Sequence, residues 1–135
     1  MNWSPDVIHV HGWLASLLPL YLRNYYANEP LFSESKIVTS VYDQGFEGTL
    51  DNNMMAKVKF DGIAEQKIDV LEKPTYSNIM KVAIAHSDAI IVGSEQIPKD
   101  LEEHLKTIDQ PVLEYKTPEE FAEAYEAFYQ TEVLV

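Results

Sequence analysis

Apolar and polar positions along this chain alternate between two rhythms. Short runs of mostly apolar residues fall at 7–11, 36–41, 89–93 and 111–115, each about the length of a strand buried between two layers. Longer stretches with apolar residues at helical spacing lie between and after them. Leu14, Leu17, Leu18, Tyr21, Leu22 and Tyr25 predict a helix over 13–26, in which Pro19 should remove one backbone bond and introduce a bend. A helix opening at Pro74 runs to about Ser87, and its 79–85 portion is apolar nearly all round, so it should be covered on most sides. Ile97, Leu101, Leu105 and Ile108 form one stripe of an amphipathic helix over 97–108, with Pro98 suited to its first turn. Thr117-Pro118-Glu119-Glu120 reads as a capping box that opens the last helix, whose buried face would be Phe121, Ala124, Tyr125, Phe128 and Tyr129. The segment 44–73 is the least regular, broken by Gly45, Gly48 and Gly62, with short helices expected near 53–58 and 64–71.

Strand and helix alternate four times. This pattern predicts an α/β fold: a Rossmann-like, three-layer parallel sheet of about four strands with helices on both faces and right-handed crossovers. At 135 residues the chain fits one domain spanning 1–135. With strands in chain order, 7–11 would form a sheet edge, and exposed apolar edges seek partners. The strand is therefore expected to be covered by a second copy, by flanking segments, or by strands that precede it in a larger fold, since it starts so close to Met1.

Charge narrows the partners. The formal net charge is −12, which repels phosphate backbones and anionic lipid, so neither nucleic acid nor membrane is expected as a partner. No apolar run approaches the roughly 20 residues of a membrane span. The opening residues lack the basic and apolar regions of a signal peptide. With no cysteine, the chain has neither disulfides nor thiolate metal sites, and a cytoplasmic location is expected. Arginine occurs once, as Arg23, and no Gly-rich loop opens a helix, so a sugar nucleotide is not expected to bind the chain alone. A neutral ligand such as a carbohydrate meets no such opposition.

Candidate chemistry concentrates where the first strand ends. Ligands of open α/β sheets bind beyond the carboxyl ends of the strands, and His11 falls there, followed by Gly12 and Trp13. His9 and His11 point to one face and could chelate a metal, but no acidic or thiol partner stands near in sequence, so no metal site is assigned; His9 reads equally as a hydrogen-bonded core histidine. Trp13 is a candidate sugar platform or simple packing. Tyr42, Asp43 and Gln44 close the second strand on the same edge and could bond a sugar, whereas an Asx turn would also explain Asp43. Lys81 interrupts an apolar helix and either reaches solvent or meets a carboxylate. No pattern singles out His86 or His104, and no nucleophile elbow is present.

The stretch Asp6-Val7-Ile8-His9-Val10-His11-Gly12-Trp13, followed by Leu17-Leu18-Pro19-Leu20-Tyr21-Leu22, resembles a segment of bacterial glycogen and starch synthases that runs Pro-Asp-x-x-His-x-His-Asp-Trp and then x-x-Pro-x-Tyr-Leu. Further similar pieces follow in order: the strand 36–41 leading to Tyr42-Asp43 and Gln44-Gly45, then Asp61-Gly62-Ile63, then the helix from Asn78 through Lys81 to Asp88. The resemblance covers about residues 5–93. It implies the later part of the N-terminal, acceptor-side domain of a two-domain (GT-B) retaining glucosyltransferase of glucan biosynthesis, expected to come from a short stand-alone version of that domain. In such enzymes that domain holds the glucan and a C-terminal domain binds the sugar nucleotide. The resemblance assigns to His11 a place facing the donor glucose, and gives Tyr42, Asp43, Gln44 and Lys81 site positions. Gly12 stands where the family has Asp, Tyr42 where it has His, and Asp43 where it has Asn. The donor domain, with its cationic pair, has no counterpart. The function implied is that of a glycogen or starch synthase-like domain, inactive alone, needing no cofactor and binding α-glucan weakly. The alternative is a non-catalytic glucan-binding or regulatory interaction domain.

Overall fold

The computed structural model describes residues 3–59, 63 and 68–135. Four parallel strands form one sheet in chain order: β1 (Val7–His11), β2 (Lys36–Val41), β3 (Ala89–Val92) and β4 (Val112–Leu113). Val7 pairs with Lys36, Val38 with Ala89 and Ile91 with Leu113. Side chains alternate across the pleat, so this register lines Val7, Val38, Ala89, Ile91 and Leu113 on one face and Val10, Ile37, Val41, Ile90 and Val112 on the other. The predicted α/β class, strand positions and strand order are all present, although β4 is only two residues long.

Helices cover both faces, unequally. Three share one face: α1 (Leu18–Asn24) through Leu22, α3 (Tyr76–Ala85) through Met80 and Ile84, and α4 (Lys99–Leu105) through Leu101. The short α2 (Met54–Val58) and a 3-10 turn at Asp69–Glu72 pack outside α3 around Leu20, Ile68, Leu71 and Ile79. The other face meets α5 (Phe121–Phe128) and the π-helical turn Tyr129–Val133, through Phe128 and Val133. As expected for a helix apolar all round, α3 buries Tyr76, Ile79, Met80, Val82, Ala83 and Ile84. Thr75 caps it, its side chain accepting from the Asn78 N–H at 3.2 Å.

Several expectations need correction. The helix expected over 13–26 is two pieces, a 3-10 turn at Trp13–Ala15 and α1. Pro19 lies in the first turn of α1, where its missing N–H has no intrahelical partner to lose, so it starts a helix instead of bending one. Leu14 consequently leaves the apolar stripe and is 84% exposed. The segment 117–120 is a turn, closed by the Glu120 N–H donating to the Thr117 carbonyl, and no side chain caps α5. The buried face of α5 is shifted: Phe128 is buried, Tyr125 and Tyr129 are half-buried, and Phe121 is 45% exposed. The helix expected over 64–71 and the Asp61-Gly62 pair fall mostly outside the described residues, which show only the turn at Asp69–Glu72.

The single arginine serves the fold. Arg23 on α1 donates to the Asp88 carboxylate and, at 3.1 Å, to the Ser35 carbonyl. Asp88 also accepts the Ile37 N–H at 2.7 Å. These bonds tie α1 to the starts of β2 and β3, at the end of the sheet opposite the strands' carboxyl ends. Among the described residues every buried side-chain nitrogen or oxygen has a partner, including Thr39 and Ser87, whose hydroxyls meet at 2.7 Å.

Candidate functional site

At the carboxyl ends of β1 and β2 the chain turns twice, and both turns depend on glycine. Gly12 adopts φ 71°, ψ −175°, a conformation open in practice only to glycine, and directs the chain from β1 into the turn that carries Trp13. Gly45 leaves space for the Tyr76 ring, since a Cβ there would lie 2.7 Å from it. Tyr76 reaches under the second turn and donates its hydroxyl to the Tyr42 carbonyl. Burial raises the Tyr76 pKa; the bond to Tyr42 opposes that, and the negative charge of Asp43 adds to it. At the end of β3, Gly93 does for Tyr42 what Gly45 does for Tyr76: a Cβ there would come within 2.4 Å of the Tyr42 ring.

These turns enclose a hollow of about 330 Å³ lined by His11, Gly12, Trp13, Leu14, Tyr42, Gln44 and Gly45. Tyr42 and His11 form its polar edge, with His11 Nδ1 and the Tyr42 hydroxyl 2.7 Å apart. Among the described residues the other His11 ring nitrogen, Nε2, meets no hydrogen-bond partner, and His11 is exposed. Trp13 lines the hollow and also packs edge-on against Phe46, ring centres 4.9 Å apart, so it is part platform and part core.

Behind His11 lies His9. The two rings stack at 4.0 Å and 26°, as expected of residues two apart on a strand. Both nitrogens of His9 are engaged: Nε2 is 2.6 Å from the Ser40 hydroxyl, and Nδ1 is 2.5 Å from the Tyr129 hydroxyl. Burial, with the neighbouring His11 adding to it, lowers the His9 pKa from 6.5 to about 4, so the ring is neutral at physiological pH. His9 is thus the hydrogen-bonded histidine of the sequence reading. Among the described residues no cluster of three or more His, Cys, Asp or Glu is placed to hold a metal ion.

His11, Trp13, Tyr42 and Gln44 therefore share one hollow. Asp43 follows Tyr42 in the turn after β2 but does not line the hollow; it is exposed, its N–H donates to the Ser94 hydroxyl at 3.0 Å, and its carbonyl accepts from the Gly45 N–H at 3.1 Å. Lys81 is elsewhere. It borders a separate hollow with Asp69, Val70, His86 and His104 on the outer side of α3, because a helix leading into a parallel strand runs back along the sheet and carries its middle away from the carboxyl ends. Burial, and then the Lys81 charge, lowers the pKa of His104 there. Sequence reasoning missed Tyr76 and Tyr129. A glycine after Tyr42-Asp43-Gln44 hints that a ring approaches the turn, but nothing local signals Tyr129, which is 120 residues from His9.

An open parallel sheet with a polar hollow at its strand ends, formed around a His-Gly-Trp turn, is consistent with a Rossmann-like domain of a glycosyltransferase. Sequence comparison makes the class specific. The profile of the starch synthase catalytic domain family matches residues 1–109, and the chain belongs to that family. The match continues past the 5–93 span of the motifs, through α4. The chain is 29% identical over 104 residues to the glycogen synthase of Thermotoga petrophila, covering 76% of this chain and 21% of that protein. It is 30% identical over 102 residues to the glycogen synthase of Geotalea uraniireducens, with the same coverage, and 30% over 105 residues to that of Chlorobaculum parvum, covering 75% and 20%. The chain thus spans about a fifth of the length of these relatives. No solved structure matches it significantly. No helix among the described residues is long and apolar enough to cross a membrane.

Proposed function

We propose that this domain is the acceptor-side part of a glycogen or starch synthase-type glucosyltransferase, holding an α-1,4-glucan while a separate nucleotide-sugar-binding lobe supplies the glucose. The observation that carries this reading is His11, bonded to Tyr42 and standing beside Trp13 in one hollow at the strand ends, within the segment matched by the family. An aromatic wall and uncharged donors and acceptors suit a neutral sugar. Gln44 extends the polar rim, Asp43 stands beside it in the same turn without lining the hollow, and Lys81, on the far side of α3, takes no part in the acceptor site.

Transfer by the chain alone is not expected. A departing diphosphate needs converging cations. Arg23 is bound to Asp88 at the other end of the sheet, and the net charge is −12. A closed two-lobed cleft, whose positioning can supply roughly 7–11 kcal/mol of a barrier, is also needed. A cytoplasmic location accords with the cysteine-free composition. The outer edge of β1 is proposed to pair with a further strand, from a second copy or from another segment of the enzyme.

The test has two arms. Affinity electrophoresis in glycogen should retard the chain weakly, and His11→Ala should abolish the retardation; unretarded wild type would overturn the glucan reading. Incubation with radiolabelled ADP-glucose and glycogen should give no incorporation by the chain alone, and robust incorporation would overturn the one-lobe reading.

A further inference from the structure

The turn that carries Tyr129 lies beyond residue 109, where the family match ends, yet it reaches His9, directly behind the proposed site. Its hydroxyl is 2.5 Å from His9 Nδ1, on the flank of His9 opposite to the bond with Ser40. The ring of His9 is thereby held by two bonds, and on it rests the ring of His11 at 4.0 Å. His11 is fixed in turn at Nδ1 by Tyr42, whose ring is seated over Gly93. Bonds and stacking form one unbroken path from Tyr129 through His9 and His11 to Tyr42. Among the described residues His9 also faces His11 from its own strand, Ser40 from β2, and the Tyr125 ring from α5, at 6.1 Å between ring centres.

We propose that Tyr129 is a positioning residue for His11: through His9 it holds the His11 ring at the mouth of the hollow with Nε2 presented to the ligand, and so couples the docking of α5 to glucan binding. This rests on the glucan-binding reading above. The physical reason is that an imidazole with both nitrogens bonded cannot rotate without breaking a bond, while a singly bonded one can turn or change tautomer. A stacked neighbour inherits that freedom. Phe121 and Tyr125 belong to the same helix but reach no nitrogen of His9, so they serve as controls.

The experiment uses the full chain with ¹⁵N-labelled histidine, as wild type, Tyr129→Phe and Phe121→Ala, with ring-nitrogen NMR spectra and maltoheptaose titrations for each. Tyr129→Phe keeps the ring and removes only the hydroxyl. It is expected to give His9 a mixture of tautomers, to move the ring signals of His11, and to weaken maltoheptaose binding by about two- to tenfold, the factor equivalent to one hydrogen bond. Phe121→Ala should leave all three as in wild type. His9 signals that change while His11 signals and affinity stay at wild-type values would overturn the proposal, leaving Tyr129 a structural residue. If wild type binds no maltoheptaose, the glucan reading fails, and the His11 signals alone still decide the positioning claim: moved signals support it and unmoved ones overturn it.

Discussion

His9 lies flat against His11, ring centres 4.0 Å apart, with its nitrogens on the hydroxyls of Ser40 and Tyr129, and burial, then the neighbouring His11, disfavours a second proton on its ring. The folded chain resists protonating His9 down to about pH 4, whereas the unfolded chain binds that proton near the ordinary value of 6.5. Stability tied to this ring is therefore complete above pH 6.5, falls as the pH drops, and stops falling near 4. The ring is partly open to water, which reduces the contribution to about 2 kcal/mol. Urea unfolding between pH 4 and 7 should show a shallower pH slope for His9→Gln than for wild type; equal slopes would exclude the effect.

Gly93 is expected to tolerate no side chain. A Cβ would stand 2.4 Å from the Tyr42 ring, and that ring is held by its bond to His11 and cannot simply swing away. Gly93→Ala should destabilise the fold by about 1–3 kcal/mol, in the range of overpacked cores. It should also displace Tyr42 from His11, visible as a shift of the His11 ring signals. The double variant Gly93→Ala, Tyr42→Ala should recover most of the stability lost by the single glycine change, since the obstacle would be gone. A double variant no more stable than the sum of its parts would place the strain elsewhere.

The sheet was legible in the sequence because its strands are short apolar runs separated by helical periodicity, and tertiary packing agrees with that local pattern. The pairing of His11 with Tyr42 was legible in part, since strand ends on one side of a parallel sheet converge. That Lys81 lies apart from the hollow was not legible, because motif order alone does not say which part of a helix faces the strand ends. The 13–26 segment misled because a proline within an apolar stripe reads equally as a kink or as a helix start, and only the burial of Leu20 and Leu22 against the exposure of Leu14 separates the two. Tyr129 was invisible for a simpler reason: a contact between positions 9 and 129 leaves no periodic trace.

The outer edge of β1 makes a prediction about association. Val7, Ile8 and His9 are half-buried, while the corresponding part of β2 is almost wholly buried, and β1 pairs with β2 alone among the described strands. Outward-facing β1 amides should exchange quickly at low protein concentration. If a second copy closes the edge, the same amides should slow as concentration rises, in step with a larger sedimentation coefficient. Fast exchange at every concentration, with a monomer throughout, would leave another segment of the enzyme as the partner. Slow exchange in a dilute monomer would refute an open edge altogether.

Gly12 offers the sharpest contrast with the family pattern, which has Asp in its place. The turn here has φ 71° and ψ −175°, and a Cβ would meet only the Tyr42 ring at 4.0 Å, so space is available and backbone conformation is the obstacle. A side chain at such a position costs about 1–3 kcal/mol. Gly12→Asp is therefore expected to lower stability by that amount in urea unfolding, and Gly12→Ala by a similar amount, because the penalty belongs to Cβ and not to the carboxylate. The Gly12 N–H bonds the Ser40 carbonyl at 3.3 Å, so a turn that relaxed to negative φ would also loosen the end of the β1–β2 ladder. Unchanged stability in both variants would mean that the turn re-forms with the conformation an Asp requires. In that case restoring the family's residue should also strengthen retardation by glycogen, which the strained turn would not.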